Sequence, residues 1–268
     1  MLHLLKIDLK KLTSYRTFWV VCGLYFFTLA FVTASGMEFL KWLAGKGAEF
    51  GTSINISRIP LYHFPDVWQN LVYISGFFKI VLAIMVVISI TNEFTYRTLR
   101  QNIIDGLSRS EFLQSKILTN LLLSLMSVVM VFVIGLVTGF IYSPESNWRY
   151  IFTDLEFFPA YFLEVFTFLS FALMLGIFVQ RSGLTIILLL LSRIIEAPLD
   201  AYVGNHFSDD ITQFFPMQSI SNLIALPFAR YALQEIQDYV SWTSIVIVLA
   251  WMLLFNYFSY LKLHRSDL

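Results

Sequence analysis

The sequence is poor in charge, in cysteine and in histidine. Only 13% of its 268 residues are Asp, Glu, Lys or Arg, whereas 57% are hydrophobic, and a soluble domain carries about 25% charged residues. The single cysteine, Cys22, excludes an internal disulfide. The four histidines lack the i, i+3 or i, i+4 spacing of a ligand pair, so we expect no metal site. The low charge and high hydrophobic content exclude a soluble domain and predict an integral membrane protein.

The sequence also lacks the motifs of common catalytic and nucleotide-binding sites. It contains no G-x-x-x-x-G-K-[ST] loop that would hold the phosphates of ATP. It has no cluster of nucleophiles, histidines or paired acids of the kind a membrane-embedded enzyme needs. We therefore expect no catalytic residue and no bound cofactor in this chain. The net charge of zero argues against a nucleic-acid partner.

Six apolar runs are long enough to cross a membrane. A hydrocarbon core about 30 Å thick takes roughly 20 helical residues, and open sheet edges cannot face lipid. The sequence therefore predicts an all-α membrane protein with six transmembrane helices in a single domain, residues 1–268. The predicted spans are 17–35, 71–91, 117–142, 157–179, 184–203 and 240–261.

The placement of lysine and arginine predicts the orientation. Cytoplasmic loops are enriched in these residues, and six spans put both termini on the same side. Eleven of the 18 basic residues lie on the terminal side, which is therefore predicted to be cytoplasmic. They are Lys6, Lys10, Lys11, Arg16, Arg97, Arg100, Arg109, Lys116, Arg181, Lys262 and Arg265.

The first sixteen residues have an amphipathic pattern. Leucines at positions 2, 5, 9 and 12 share one helical face, and the charged side chains of Lys6, Asp8, Lys10 and Lys11 lie largely on the other. This pattern favours a helix that lies in the inner membrane interface. The alternative is an ordinary basic flank that only sets the topology.

A charged segment, residues 92–116, separates the second and third spans. Residues 92–104 predict an amphipathic helix with its arginines turned toward water, and Asp105-Gly106 ends it. Ser108 and Glu111 have the spacing of a capping box, which starts a second helix that leads into the third span. The segment has the character of a docking surface. The alternative is a well-capped helical hairpin without a partner.

This segment resembles the cytoplasmic loop of type-2 ABC exporter permeases. The resemblance covers the layout of the whole chain and rests on Glu93, Arg97-Thr98, the run from Asp105 to Arg109, Phe112 and Lys116. That family usually has Gly-Thr before the helix and a proline ahead of the Ser-Arg pair. This chain has Arg97-Thr98 and Gly106-Leu107 at those places.

The resemblance implies a permease half that dimerises, with a homologous or identical second copy, and that exports an amphiphilic or hydrophobic substrate by alternating access. A separate ATPase subunit would bind ATP and Mg²⁺ and drive the cycle. The implied parts are an interfacial connecting helix at 1–16, a coupling region at 92–116 and short re-entrant helices in an outer loop at 205–239. The implied location is the bacterial inner membrane, with both termini cytoplasmic. The implied coupling residues are Glu93, Arg97, Thr98, Arg100, Asp105, Gly106, Ser108, Arg109, Glu111 and Lys116.

Four ionisable residues interrupt the predicted spans: Lys79, Glu164, Arg193 and Glu196. Charges in lipid are costly and usually pair or line a path. Arg193 and Glu196 have i, i+3 spacing, with Asp200 one turn further, and Lys79 and Glu164 are placed to pair across helices. The family's dimer interface uses spans two and five, which would put Lys79, Arg193 and Glu196 near the translocation path. Ion pairs that only fix helix packing are the alternative.

Two other functional classes stay open. A six-span channel or secondary transporter would need a continuous polar pore or repeat symmetry, and neither is visible. A membrane-embedded enzyme would need the clustered reactive residues that the sequence lacks.

Overall fold

The computed structural model describes residues 2–45, 61–144, 148–207, 209–228 and 237–265. These residues form helices and no strand. The long apolar runs dictate this outcome, because a helix satisfies all its backbone hydrogen bonds within one segment. The helices are α1 (Leu2–Ser14), α2 (Arg16–Gly45), α3 (Val67–Gly76), α4 (Lys79–Thr95), α5 (Thr98–Ile104), α6 (Arg109–Tyr142), α7 (Trp148–Ile151), α8 (Phe157–Val179), α9 (Ser182–His206), α10 (Asp209–Thr212), α11 (Pro216–Ser221) and α12 (Trp242–Arg265).

Five of these helices are long and apolar enough to cross a membrane, namely α2, α6, α8, α9 and α12. They correspond to the predicted spans one, three, four, five and six. The prediction of a second span at 71–91 as one continuous helix is wrong in detail. This part of the chain forms two helices, α3 and α4, which meet at a bend of 40°. Together they are apolar enough to form a sixth span.

The bend between α3 and α4 follows a Ser-Gly pair, Ser75-Gly76, which is a common site of helix kinks. The backbone tightens there, and the Phe78 N–H donates to the Ser75 carbonyl at 3.0 Å. Position 76 also requires glycine because there is no space for a side chain. A β-carbon at Gly76 would lie 2.8 Å from Oε1 of Glu164. The break therefore lets a carboxylate of α8 approach the backbone of the second span.

Helix α8 lies at the centre of the bundle. In its most apolar stretch 67% of the residues are buried inside the protein, whereas the figure is 17% for α9 and for α12. Helices α3, α4, α6, α9, α11 and α12 pack around α8. A helix that is apolar on all sides suits this central position. Polar residues on α8 are therefore surrounded by protein rather than by lipid.

Helix α6 packs closely against α3 because it carries glycine at the contact. A β-carbon at Gly135 would lie 2.5 Å from the ring of Trp68. Trp68 is fully buried, and its indole N–H donates to the Ile151 carbonyl at 2.9 Å. Small residues that let a partner approach are typical of packing between membrane helices.

The predicted amphipathic helix at 92–104 is wrong as a single element. Helix α4 runs on to Thr95, Arg97 adopts a left-handed conformation with φ of 54°, and α5 starts at Thr98. The first span is also slightly longer than predicted, since it covers Arg16–Phe39, and its helix α2 continues to Gly45.

The predicted outer loop, 205–239, is only partly covered, since residue 208 and residues 229–236 lie outside the described residues. The described part contains the short helices α10 and α11. The indole N–H of Trp251 in α12 donates to the Phe214 carbonyl at 2.9 Å, which ties this region to the last span.

Candidate functional site

Four charged side chains, Asp8, Lys11, Glu93 and Lys116, form a cluster at the end of the bundle that the sequence predicts to be cytoplasmic; we call it the inner charge cluster. Lys116 of α6 is only 4% exposed. Its Nζ lies 2.6 Å from Asp8 Oδ1 of α1 and 3.1 Å from Glu93 Oε1 of α4. Lys11 Nζ lies 3.6 Å from the second oxygen of Glu93. Two positive and two negative charges therefore balance in a largely buried position.

Neutral side chains form further hydrogen bonds with the inner charge cluster. The Thr119 hydroxyl donates to Asp8 Oδ2 at 2.6 Å, and the Thr98 hydroxyl donates to Glu93 Oε2 at 2.5 Å. Lys11 donates to Asn102 Oδ1 at 3.0 Å. Since Thr98 and Asn102 belong to α5, the cluster joins four helices: α1, α4, α5 and α6.

Asp8 is the residue that the sequence interpretation misplaced. It was assigned to the polar face of the first helix together with the lysines, but its side chain is turned into the protein and is only 3% exposed. An isolated buried charge would be very costly, so its burial depends on Lys116, which is 108 residues away in the chain. One signal could have marked Asp8: it is the sole acid among the first sixteen residues.

An exposed surface lies next to this cluster, on α5 and the two residues before it. We call it the inner exposed surface, and it consists of Tyr96, Arg97, Arg100 and Ile104. Tyr96 is 65% exposed and Ile104 is 71% exposed, and both arginines are exposed. Leu99, on the opposite face of α5, is 2% exposed and anchors the helix to the body. Ile104 therefore presents an apolar side chain outside the protein body, at the end of α5.

The turn after α5 has the predicted chemistry. Gly106 has φ of 99°, a conformation that glycine adopts readily. The capping box is present: the Ser108 N–H donates to Glu111 Oε2 at 2.8 Å, and the Glu111 N–H donates to Ser108 Oγ at 3.2 Å. The side chain of Asp105 accepts from Gln101 at 3.2 Å. These residues fix the turn between α5 and α6.

Arg109, which was grouped with the coupling residues, contacts the end of the last span. Its guanidinium donates to the carbonyls of Leu263 and His264 at 2.9 and 2.7 Å. These carbonyls lie in the last turn of α12, where the helix dipole favours a positive charge. Arg109 therefore ties the start of α6 to the end of α12.

A second group of charges surrounds a cavity of about 250 Å³, the charged cavity, between α3, α4, α8, α9 and α11. The ammonium of Lys79 pairs with the Glu164 carboxylate, as their positions in the sequence indicated. Lys79 Nζ also lies 5.5 Å from the centre of the Phe168 ring. The charged residues that line the cavity are Lys79, Glu164 and Arg193, and its aromatic residues are Tyr73, Phe77 and Phe168.

Arg193 and Glu196 have different surroundings. The Arg193 side chain is 46% exposed, lies 2.7 Å from Asp200 Oδ2 and 3.4 Å from Glu196 Oε1, and contacts Gln218. Glu196 is 7% exposed. It accepts the backbone N–H of Met217 at 2.9 Å and of Gln218 at 2.6 Å. Glu196 therefore caps the first turn of α11, a role that the sequence did not reveal.

Metal ligands are not assembled in the part of the chain that the structure describes. No group of three or more His, Cys, Asp or Glu side chains there could hold a metal ion. The two charged regions just described are instead networks of ion pairs, one next to an exposed surface that carries two arginines and the other around a cavity.

Comparison with known proteins identifies the family of the chain. A search of curated proteins finds no match for this chain. A family model described as ABC-2 family transporter protein matches residues 2–268. Members of that family are membrane components of ABC transporters, are not themselves catalytic and normally work with an ATPase partner. Because the match covers nearly the whole sequence, the chain belongs to the ABC-2 transporter family and is a membrane permease of an ABC transporter.

Proposed function

We propose that this permease is the transmembrane half of an ATP-driven exporter of amphiphilic substrates. A separate ATPase subunit binds ATP and Mg²⁺, and two copies of the permease form the translocation path. Family membership supports the requirement for an ATPase. It also argues against the alternatives of a channel, a secondary transporter or a membrane-embedded enzyme.

The observation that carries the proposal is the inner charge cluster directly behind the inner exposed surface. In our proposal α5 is the coupling helix, and Arg97 and Arg100 contact the ATPase. A push on α5 reaches α4 through Thr98 and Glu93, and reaches α6 and α1 through Lys116 and its partners. Separating these charges would leave at least one of them buried without a partner, at a cost of about 3–5 kcal/mol. The four helices therefore move together.

The remaining parts of the proposal follow from the same arrangement. Helix α1 lies in the inner membrane interface, with Lys6 and Lys10 exposed. Both termini are cytoplasmic, in a bacterial inner membrane. Helices α10 and α11 belong to a re-entrant hairpin. Met217 and Ile220 of α11 are buried in the protein, as broken backbone at membrane depth requires. Lys79, Glu164, Arg193 and Glu196 are near the translocation path.

The test is copurification followed by an ATPase assay. The full chain is tagged and extracted from its native membrane, and the partners are identified by mass spectrometry together with the mass of the complex. We expect two permeases and two ATPase subunits. Charge reversal at both arginines, Arg97→Glu with Arg100→Glu, then lowers stimulation of the ATPase several-fold, because charges at an interface steer association.

The matched control is Arg181→Glu, which reverses an exposed arginine between α8 and α9 rather than one in the α5 region. It leaves the stimulation at the wild-type value. Absence of any ATPase from a complex that otherwise survives extraction would overturn the proposal. Unchanged stimulation in the double variant would remove α5 as the coupling helix.

A further inference from the structure

The charged cavity presents both signs of charge to a ligand. Lys79 and Arg193 offer ammonium and guanidinium donors, and Glu164 offers a carboxylate. We infer that this cavity binds the zwitterionic headgroup of a single-chain amphiphile, with the anionic group at Lys79 and Arg193 and the cationic group at Glu164. This inference rests on the proposed function and extends it to the class of substrate.

The size of the cavity fits a headgroup but excludes a whole lipid. Its volume is about 250 Å³, and an apolar cavity of about 150 Å³ is known to admit benzene. A polar headgroup with a few carbon atoms therefore fits. A long hydrocarbon chain does not, so that chain has to leave through the opening of the cavity.

One side of the opening of the cavity is apolar. Phe77 and Leu190 both line the cavity, and they are 65% and 47% exposed. The exposed face continues along α9 through Ile187 and Ile194, which are 54% and 64% exposed. A hydrocarbon chain that leaves the cavity therefore meets a continuous apolar surface.

The aromatic lining favours a cation beside Glu164. Tyr73, Phe77 and Phe168 contribute rings to the cavity wall, and a ring face attracts a cation within about 6 Å of its centre. One such cation–π contact is present in the structure, since Lys79 Nζ lies 5.5 Å from the centre of the Phe168 ring. A quaternary or primary ammonium would find the same rings.

Charge balance explains why a zwitterion is preferred to an ion of one sign. Lys79 and Glu164 neutralise each other when the cavity holds no ligand. A purely anionic ligand would draw Lys79 away from Glu164 and leave the carboxylate unpaired in a place where its side chain is 8% exposed. A purely cationic ligand would leave Lys79 unpaired. A zwitterion satisfies both groups at once, and a buried charge without a partner is strongly disfavoured.

The experiment measures headgroup preference in nanodiscs. A small amount of a photoactivatable single-chain amphiphile with a phosphocholine headgroup is added to the full chain, and light crosslinks the bound amphiphile to the protein. Analogues of equal chain length compete, one with the same headgroup, one with phosphate alone and one with trimethylammonium alone. We expect the phosphocholine analogue to compete at about tenfold lower concentration than the phosphate analogue or the trimethylammonium analogue. A tenfold difference in affinity is about the contribution of one charge-assisted hydrogen bond. Labelled peptides should map to α4 and α9.

Single variants should change the preference in opposite directions. Glu164→Gln leaves Lys79 without its carboxylate and shifts the preference to the phosphate analogue. Lys79→Gln shifts it to the trimethylammonium analogue. The exchanged pair, Lys79→Glu with Glu164→Lys, keeps both charges and retains the preference for phosphocholine. This exchanged variant provides the readout where a single variant fails to fold.

A purely structural ion pair gives a different result. In that case all three analogues compete equally in the wild type, or the order of preference stays the same in the folded variants, and the inference is overturned. Labelled peptides that lie outside the helices lining the cavity would also overturn it. Copurification and stimulation of the ATPase are measured on the same preparations, so a failure of the inference is distinguishable from a failure of the proposed function.

Discussion

Replacing Lys116 by methionine should destabilise the permease more than any other single loss of a lysine in the described residues. The side chain keeps its length, but the inner charge cluster changes from two positive and two negative charges to one positive and two negative. Asp8 then loses its ion-pair partner while it is 3% exposed. Removing one partner from a buried ion pair costs about 3–5 kcal/mol. For a chain of this size such a loss lowers Tm by about 10 °C.

A second substitution tests the reasoning about charge. Asp8→Asn combined with Lys116→Met restores neutrality, because Glu93 and Lys11 still pair at 3.6 Å. We expect the double variant to recover at least half of the lost Tm. The amide of asparagine can also still accept the hydrogen bond that the Thr119 hydroxyl donates to Asp8. A volume effect alone would leave the double variant no more stable than Lys116→Met.

The single cysteine provides the assay. Cys22 is 7% exposed, so a thiol-reactive dye labels it only when the bundle opens. Heating the purified protein with the dye gives Tm for the wild type and each variant. Lys10→Met is the matched control, since Lys10 is exposed on the same first helix, and its Tm should stay within about 2 °C of the wild type. An equally small change for Lys116→Met would refute the cluster's role in stability.

Two further variants test the packing in the same thermal assay. Glu196→Gln should cost about 1–3 kcal/mol, because the first turn of α11 loses a charged acceptor for its backbone N–H groups; an unchanged Tm would show that water replaces it. Gly135→Ala places a methyl group 2.5 Å from the Trp68 ring and should cost about 1–3 kcal/mol. Gly23→Ala is its control, since nothing lies within 4 Å of the added carbon, and equal Tm values for the two would contradict the packing argument.

Charges in apolar runs are the part of the site that sequence reasoning handled best. Lys79 and Glu164 stand out because a charge in lipid must find a partner, and the two lie at similar depths in their spans. The five continuous spans are readable for a similar reason, since length and hydropathy suffice to define them. The capping box was also predictable because its two residues are three positions apart in the sequence.

Contacts between distant segments could not be predicted in this way. Asp8 and Lys116, or Arg109 and the carbonyls of α12, are joined only by the packing of whole helices, and no local pattern pairs them. The break in the second span was missed because the run is apolar on both sides of it. The carboxylate of Glu164, which occupies the space beside Gly76 at the break, makes a tertiary contact that no local pattern reveals.

The conformation of Arg97 connects sequence, strain and function. The family that this loop resembles usually has glycine at this position, and the structure shows why glycine suits it: φ is 54°, in the left-handed region. A residue with a β-carbon loses about 1–2 kcal/mol there. Strain of this kind persists where the surrounding structure enforces it, and it concentrates at functional sites. Here α4 and α5 are held on either side of Arg97 by the Thr98–Glu93 hydrogen bond. The left-handed backbone therefore places the exposed guanidinium of Arg97 immediately before α5, within the surface that we propose as the contact with the ATPase.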